Sequence, residues 1–283
     1  MAFPICDIDL LLNRAVLTFR GPHLERLVTD LYQVAGLRLA VATNGAVGTG
    51  PTIVMLHEGL GSITQWRDFP DQMHTATGLP VLTYDRAGYG RSDAGTSQYA
   101  ADFLHREALE TLPLVLERFD IDQPILIGHS DGASISLIAA ASDSLDPLAV
   151  ITIAAHIFVE HAGLDGVQTA KSNREQIVQG MSRHHDRPEI AFDRWSDIWL
   201  DPSFATFDIR QNLDRITCPL LVIQGEQDEY ATPEMVHGVT QRVSHAVGKF
   251  IPDCGHIAHK DQPKLLIDII RKFLLSTGLG INP

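Results

Sequence analysis

A series of short runs, each apolar at consecutive positions, limits what this chain can fold into. They are Thr52-Ile53-Val54-Met55-Leu56, Val81-Leu82-Thr83-Tyr84, Ile125-Leu126-Ile127, Ala149-Val150-Ile151-Thr152-Ile153 and Leu220-Leu221-Val222-Ile223. A strand with one wet face alternates apolar and polar residues, whereas a strand covered on both faces does not. Runs this short are strands rather than helices. Helical patterns lie between them. Over residues 101–119, Leu104, Ala108, Leu112, Val115 and Phe119 form a stripe, with Pro113 placed to kink it. Residues 130–141 are small and apolar, as in a buried helix, and residues 264–275 set Leu265, Ile269, Ile270 and Phe273 on one face. Strand–helix alternation of this kind predicts an α/β fold: a mostly parallel central sheet with helices on both faces.

The remaining segments fit around that sheet. Residues 1–30 mix apolar and charged positions and read as a helix packed on the outside, and residues 31–43 read as two strands around Ala35-Gly36. Residues 44–51, with three glycines, form a loop. Residues 156–210 break the rhythm, holding many charged and helical residues but no strand run. A connection this long is unusual. We read it as a helical lid inserted into a single domain spanning 1–283, the alternative being two ordinary crossover helices with a long loop.

Composition removes several function classes. The chain has 283 residues, 45% of them hydrophobic and 20% charged, which excludes a disordered protein. Its 22 Lys and Arg against 35 Asp and Glu give a net charge of −13, which disfavours nucleic acid and anionic membranes as partners but not a small-molecule substrate. Cys6, Cys218 and Cys254 give neither a disulfide framework nor a zinc pattern, so no metal and no cofactor is expected. The first residues lack a basic start, and Asp7, Asp9 and Asn13 break the apolar stretch, so no signal peptide is expected. Reduced thiols and the absence of a leader point to the cytoplasm; a homodimer is left open.

Chemistry enters at Gly128-His129-Ser130-Asp131-Gly132. This G-x-S-x-G pattern follows an apolar run and precedes a small-residue helix, the context in which a sharp turn exposes a serine hydroxyl. A serine needs a general base. His256, on the loop after Lys249-Phe250-Ile251 and before the last helix, is placed to lean over Ser130. The base in turn needs an acid to fix its tautomer. Asp228, just beyond the run 220–223, is the best placed, with Glu226 and Glu229 as competitors. Two backbone N–H groups are needed for an oxyanion. One is that of Asp131; the other belongs to His57-Glu58-Gly59-Leu60-Gly61-Ser62, with Gly59 first and Leu60 next.

Together with Asp85-Arg86-Ala87-Gly88-Tyr89-Gly90-Arg91-Ser92, a D-x-x-G-x-G-x-S segment, these elements resemble the α/β-hydrolase superfamily from about residue 31 onward. The two motifs around Gly59 and Ser130 are similar to those of bacterial members and imply no substrate. The resemblance implies Ser130 as nucleophile, Asp228 as acid and His256 as base. One departure stands out: many members carry His-Gly where this chain has His57-Glu58. Glu58 is thus either structural or a binder of a cationic or hydroxylated substrate group. His156, after a strand end, is a candidate for the pocket wall. Trp195 and Trp199, four apart on one helical face, are either lid core or a substrate platform. His129 is expected beneath the elbow, and His184-His185 in a polar lid stretch.

The function expected is a serine hydrolase of a carboxylic ester or related acyl substrate, working through an acyl-enzyme. A serine nucleophile argues against dehalogenase and epoxide hydrolase chemistry, which needs a carboxylate there. Two alternatives stay open: carbon–carbon hydrolysis of a diketone-like ring-cleavage product, and a weakly catalytic binding protein on the same scaffold.

Overall fold

Every apolar run forms a strand, and all of them join one sheet. A computed structural model describes residues 29–95 and 99–279; the helix expected over 1–30, with Cys6, lies outside all but the end of that range. Strands β1 (Asp30–Val34), β2 (Leu37–Asn44), β3 (Thr52–Leu56), β4 (Val81–Tyr84), β5 (Pro124–His129), β6 (Ala149–Ile153), β7 (Leu220–Gly225) and β8 (Val247–Ile251) lie in the order β1-β2-β4-β3-β5-β6-β7-β8. β1 and β2 form a hairpin and β2 runs antiparallel to β4; all other pairs are parallel. Both turn residues of the hairpin, Ala35 (φ 53°) and Gly36 (φ 79°), are left-handed, as a two-residue connection requires.

The consecutive apolarity is explained by what covers each face. Val54, Leu56, Leu82 and Leu126 belong to one core with Ala108, Leu112, Val115 and Leu137. The intervening Ile53, Met55, Ile125 and Ile127 belong to the other, with Phe69, Met73, Leu266, Ile270 and Leu274. Burying each of these large side chains contributes about 1.5–3 kcal/mol. The first face is covered by α2 (Phe103–Arg106), α3 (Leu112–Arg118) and α4 (Asp131–Ala140). α1 (Phe69–Thr77), the short α9 (Ala258–Asp261) and α10 (Pro263–Ser276) cover the second.

Two expectations are corrected. At Pro113 the stripe is not one continuous α-helix: a wide i→i+5 turn over Glu107–Thr111 joins α2 to α3. On α10 the buried residues are Leu266, Ile270 and Leu274, while Leu265 is exposed. Apolar residues surround most of that helix, so periodicity alone allowed two faces.

Between β6 and β7 the chain forms α5 (His161–Ser172), α6 (Arg174–Met181) and α7 (Pro188–Trp199). The ends of this segment meet: Phe158 and Asp208 form an isolated antiparallel bridge, and Ile209 N–H donates to Ile157 O at 2.9 Å. α8 (Glu234–Arg242) follows β7. Among the described residues no helix is long and apolar enough to cross a membrane.

Candidate active site

The carboxyl ends of β3, β5, β6, β7 and β8 carry the site. Ser130 sits between β5 and α4 with φ 51° and ψ −115°. For a non-glycine residue such strain costs about 1–3 kcal/mol. It is held by backbone bonds: Ser130 N–H donates to Ile153 O at 2.9 Å, and Ser130 O accepts from Ala133 at 2.9 Å and Ser134 at 3.0 Å. The flanking glycines are steric necessities. A Cβ at Gly128 would lie 2.2 Å from Gly132 O, and one at Gly132 would lie 2.0 Å from Leu56 O.

The loops after β7 and β8 are tied together by Glu226 N–H to Ile251 O and Gln227 N–H to Cys254 O, both 2.9 Å. A Cβ at Gly225 would strike Cys254 O and Gly255 O at 2.3 Å, so only glycine lets the loops pass. This closeness brings His256 Nδ1 to 2.9 Å from Asp228 Oδ1, which also accepts Tyr230 N–H at 2.9 Å. The three carboxylates in reach are thereby separated. Asp228 takes the imidazole, Glu229 takes the His256 backbone N–H at 3.2 Å, and Glu226 is exposed.

Two neighbouring imidazoles meet opposite fields. Burial pushes His256 down, but the Asp228 charge and hydrogen bond, with Glu229 and Glu58, outweigh it and raise it to about 9. His156 lies 5.9 Å away, ring to ring; burial and the His256 charge push it down to about 4. Burial likewise raises Asp228, yet His256 holds it below the usual carboxylate range.

The loop after β3 is fixed by a single carbonyl. Glu58 O accepts from His57 Nδ1 at 2.7 Å, Arg86 Nη2 at 2.8 Å and Gly61 N–H at 3.1 Å. His57 Nε2 accepts Arg86 N–H at 3.0 Å, so His57 is the neutral Nδ1–H tautomer. In a trans peptide the C=O and N–H point in opposite directions. Three donors pulling Glu58 O inward therefore turn the Gly59 N–H outward. Gly59, Leu60 and Asp131 N–H have no partner among the described residues. For Asp131 this is the ordinary state of a first helical turn.

The helical segment closes over this spot. A Cβ at Gly59 would lie 2.2 Å from the Trp195 indole nitrogen, and Trp199 Nε1–H reaches Asp131 Oδ1 at 3.3 Å. Both tryptophans are buried, and the Trp199 ring stands 5.1 Å from His156. Asp131 is fully buried with Arg86, whose Nη2 lies 3.6 Å from Asp131 Oδ2; burial raises the Asp131 carboxyl. Glu58 turns its carboxylate toward His129, at 3.3 Å from Nδ1.

All the sequence-predicted site residues thus border one region. Ser130 Oγ and His256 Nε2 carry no hydrogen bond among the described residues. Such contacts are commonly loose before substrate binds. A cavity of about 520 Å³ between Asp228, Ala231 and Phe250 includes neither Ser130 nor His256 in its lining. No cluster of three metal-ligating side chains occurs among the described residues.

Sequence reasoning missed two residues. Arg86 is fully buried, and nothing in its local sequence separates it from a surface arginine. His185, read as part of a polar stretch, is buried; its Nδ1 accepts Gly90 N–H at 2.9 Å and its Nε2 donates to Leu60 O at 3.1 Å. The Gly-rich loops on both sides were the available signal, since their backbone groups need partners.

Known proteins share this arrangement of elements. The profile of the alpha/beta hydrolase family matches residues 53–269. Esterase Rv0045c of Mycobacterium tuberculosis is 22% identical over 256 residues, covering 80% of this chain and 84% of its own. The human serine hydrolase BPHL is 27% identical over 207 residues, covering 66% and 69%. Among solved structures, a membrane phospholipase A described as a bacterial virulence factor superposes with a TM-score of 0.75 at 16% identity, covering 88% of this chain and 86% of its own.

Proposed function

The chain belongs to the alpha/beta hydrolase family and is a hydrolase, and from that premise we propose that it cleaves carboxylic esters or related acyl compounds with Ser130 as nucleophile. The observation that supports this most is the His256–Asp228 pair at 2.9 Å, on loops bonded to each other, with His256 O 2.9 Å from Nε2 of His129, the residue before the strained Ser130. That an esterase and a serine hydrolase stand among its relatives supports the ester class.

In this reading Ser130 Oγ attacks the acyl carbon while its proton passes to His256 Nε2. The negative charge formed on the carbonyl oxygen is held by the N–H groups of Asp131 and Gly59, with Leu60 beside them. Asp228 keeps the Nδ1–H tautomer and stabilises the cation. Collapse breaks the bond to the leaving group, which takes the His256 proton and departs as alcohol. Water, deprotonated by His256, then attacks the acyl-Ser130 carbon and releases the acid. Residues 156–210 act as a lid: Trp195 and Trp199 wall the site and His156 closes its far side, and that shape sets specificity.

The test is turnover of a short-chain nitrophenyl ester, with fluorophosphonate labelling of the folded protein. Ser130→Ala is expected to lose about 10,000-fold or more and to abolish labelling. Residual activity within tenfold of wild type, or a wild type that neither turns over nor labels, overturns the reading.

A further inference from the structure

The residue before Gly59 breaks the usual His-Gly pattern, and its carboxylate is not spent on the pocket. Glu58 Oε2 reaches back beneath its own loop; a Cβ at Gly61 would lie 2.3 Å from it, so Gly61 is what makes room. The side chain is 13% exposed. Its partner His129 is fully buried, the residue between Gly128 and Ser130. His129 Nδ1 stands 3.3 Å from Glu58 Oε2, and His129 Nε2 stands 2.9 Å from the carbonyl oxygen of His256. His129 thus stands between two acceptors, the Glu58 carboxylate and the His256 carbonyl, and links the two loops that carry them.

Resting on the reading of His256 as the base, we propose that Glu58 is a positioning residue. Acting through His129, it fixes the His256 backbone, so that the imidazole swings toward Ser130 and not out of the site.

The chain of contacts spans the three loops that must agree for the chemistry: the one after β3, the end of β5 and the one after β8. It also grips α9, which follows His256. Burial alone would raise the Glu58 carboxyl. The hydrogen bond and charge of His129, then Lys260 and His259 of α9, outweigh it and hold it well below the carboxylate range. Across its loop Glu58 also faces His57, Asp131 and His185. The groups facing His256 are Asp228, Glu229, Glu58 and His156, with the rings of His129 at 5.1 Å and Tyr230 at 4.8 Å. Glu58 therefore does more than brace; its charge adds to those that favour the protonated base, which gives the proposal a titration signature.

The experiment compares wild type, Glu58→Gln, His129→Phe and the double variant on the nitrophenyl ester, after Ser130→Ala has shown that turnover belongs to the site. Each is checked for folding by its thermal midpoint. Glu58→Gln is expected to lower kcat about ten- to a hundredfold with KM within about threefold, the size of effect that misplacing a catalytic group produces. The acid limb of its kcat/KM profile is expected to move to lower pH. The double variant is expected to be no worse than His129→Phe, because both break one chain. Unchanged kcat and acid limb, a rise in KM alone, or losses that multiply would overturn the inference while leaving the serine hydrolase reading intact. Should Glu58→Gln not fold, Glu58→Asp keeps the charge and withdraws the oxygens by one methylene. A lowered kcat with an unmoved acid limb then supports the inference, and an unchanged kcat overturns it.

Discussion

The loops that follow β5, β7 and β8 and the helices between β6 and β7 face the same spot, but different forces hold them there. The first group is pinned by main-chain bonds, from Ser130 N–H to Ile153 O and from Gln227 N–H to Cys254 O. The helices are held mainly by side chains. Arg194 donates to Ala87 O at 3.0 Å and Ala94 O at 2.9 Å, Arg187 to Ser92 O at 2.6 Å, and His185 to Leu60 O. Main-chain bonds survive substitution and side-chain bonds do not. On the proposed reading, the reactive groups are fixed by the sheet, while the helices above them can be re-tailored one residue at a time.

The most forceful way to break the comparison is at the sheet side. Asp228→Asn is expected to cut kcat about 10,000-fold with the fold retained, because the amide presents the wrong partner to Nδ1–H. A loss under tenfold on the ester assay would mean that the reacting groups lie elsewhere.

Next in size is pH. With His256 raised to about 9, the neutral base is scarce at pH 7, so kcat/KM is expected to climb about fiftyfold between pH 7 and 9 and to level off about one pH unit higher. Stability runs the other way. A folded-state value above the ordinary 6.5 means that this group's contribution is complete below pH 6.5 and is lost as pH rises through 9. His156, lowered to about 4, behaves oppositely: its contribution is present above pH 6.5 and is lost as pH falls through 4. Melting scans across pH 3–10 would show both flanks; a flat profile would contradict them.

Gly59→Ala probes the seam between the two groups. Its Cβ would press on the Trp195 indole, so about a tenfold loss of kcat/KM is expected, with partial recovery in Gly59→Ala/Trp195→Phe because the smaller ring leaves room. No recovery would place the damage in the loop alone.

The smallest effect is expected at Arg194→Ala, which removes two hydrogen bonds and a contact with the Tyr99 ring at 5.0 Å. A stability loss of about 1–3 kcal/mol is expected by denaturant titration, with kcat within about threefold and KM raised. A drop in kcat as large as that of Asp228→Asn would erase the distinction.

The same contrast explains what was legible beforehand. Strands buried on both faces announce themselves by unbroken apolarity; Ser130 and Asp228 are proposed from their places just beyond such runs, whereas β8, before His256, is largely exposed and shows no such run. Glu58, Arg86 and His185 were not legible as partners, because each acts across long sequence distances: Arg86 and His185 on backbone groups that any sequence would supply, and Glu58 on the His129 ring 71 residues on. Loop position favours Asp228 over Glu229, and the closeness of two loops adds that its carboxylate is the one bonded to His256 Nδ1, while Glu229 takes the backbone N–H. Register on α10 failed for a simpler reason: its apolar surface is wide, and only its neighbours decide which part is covered.

One consequence remains in the Glu58 carbonyl and its three donors. A peptide anchored so firmly at its oxygen cannot rotate, so the dipole it offers on the other side is set when the chain folds. In the proposed reaction, a developing anion next to Ser130 would meet it already aligned, and no turnover would have to include the work of turning it.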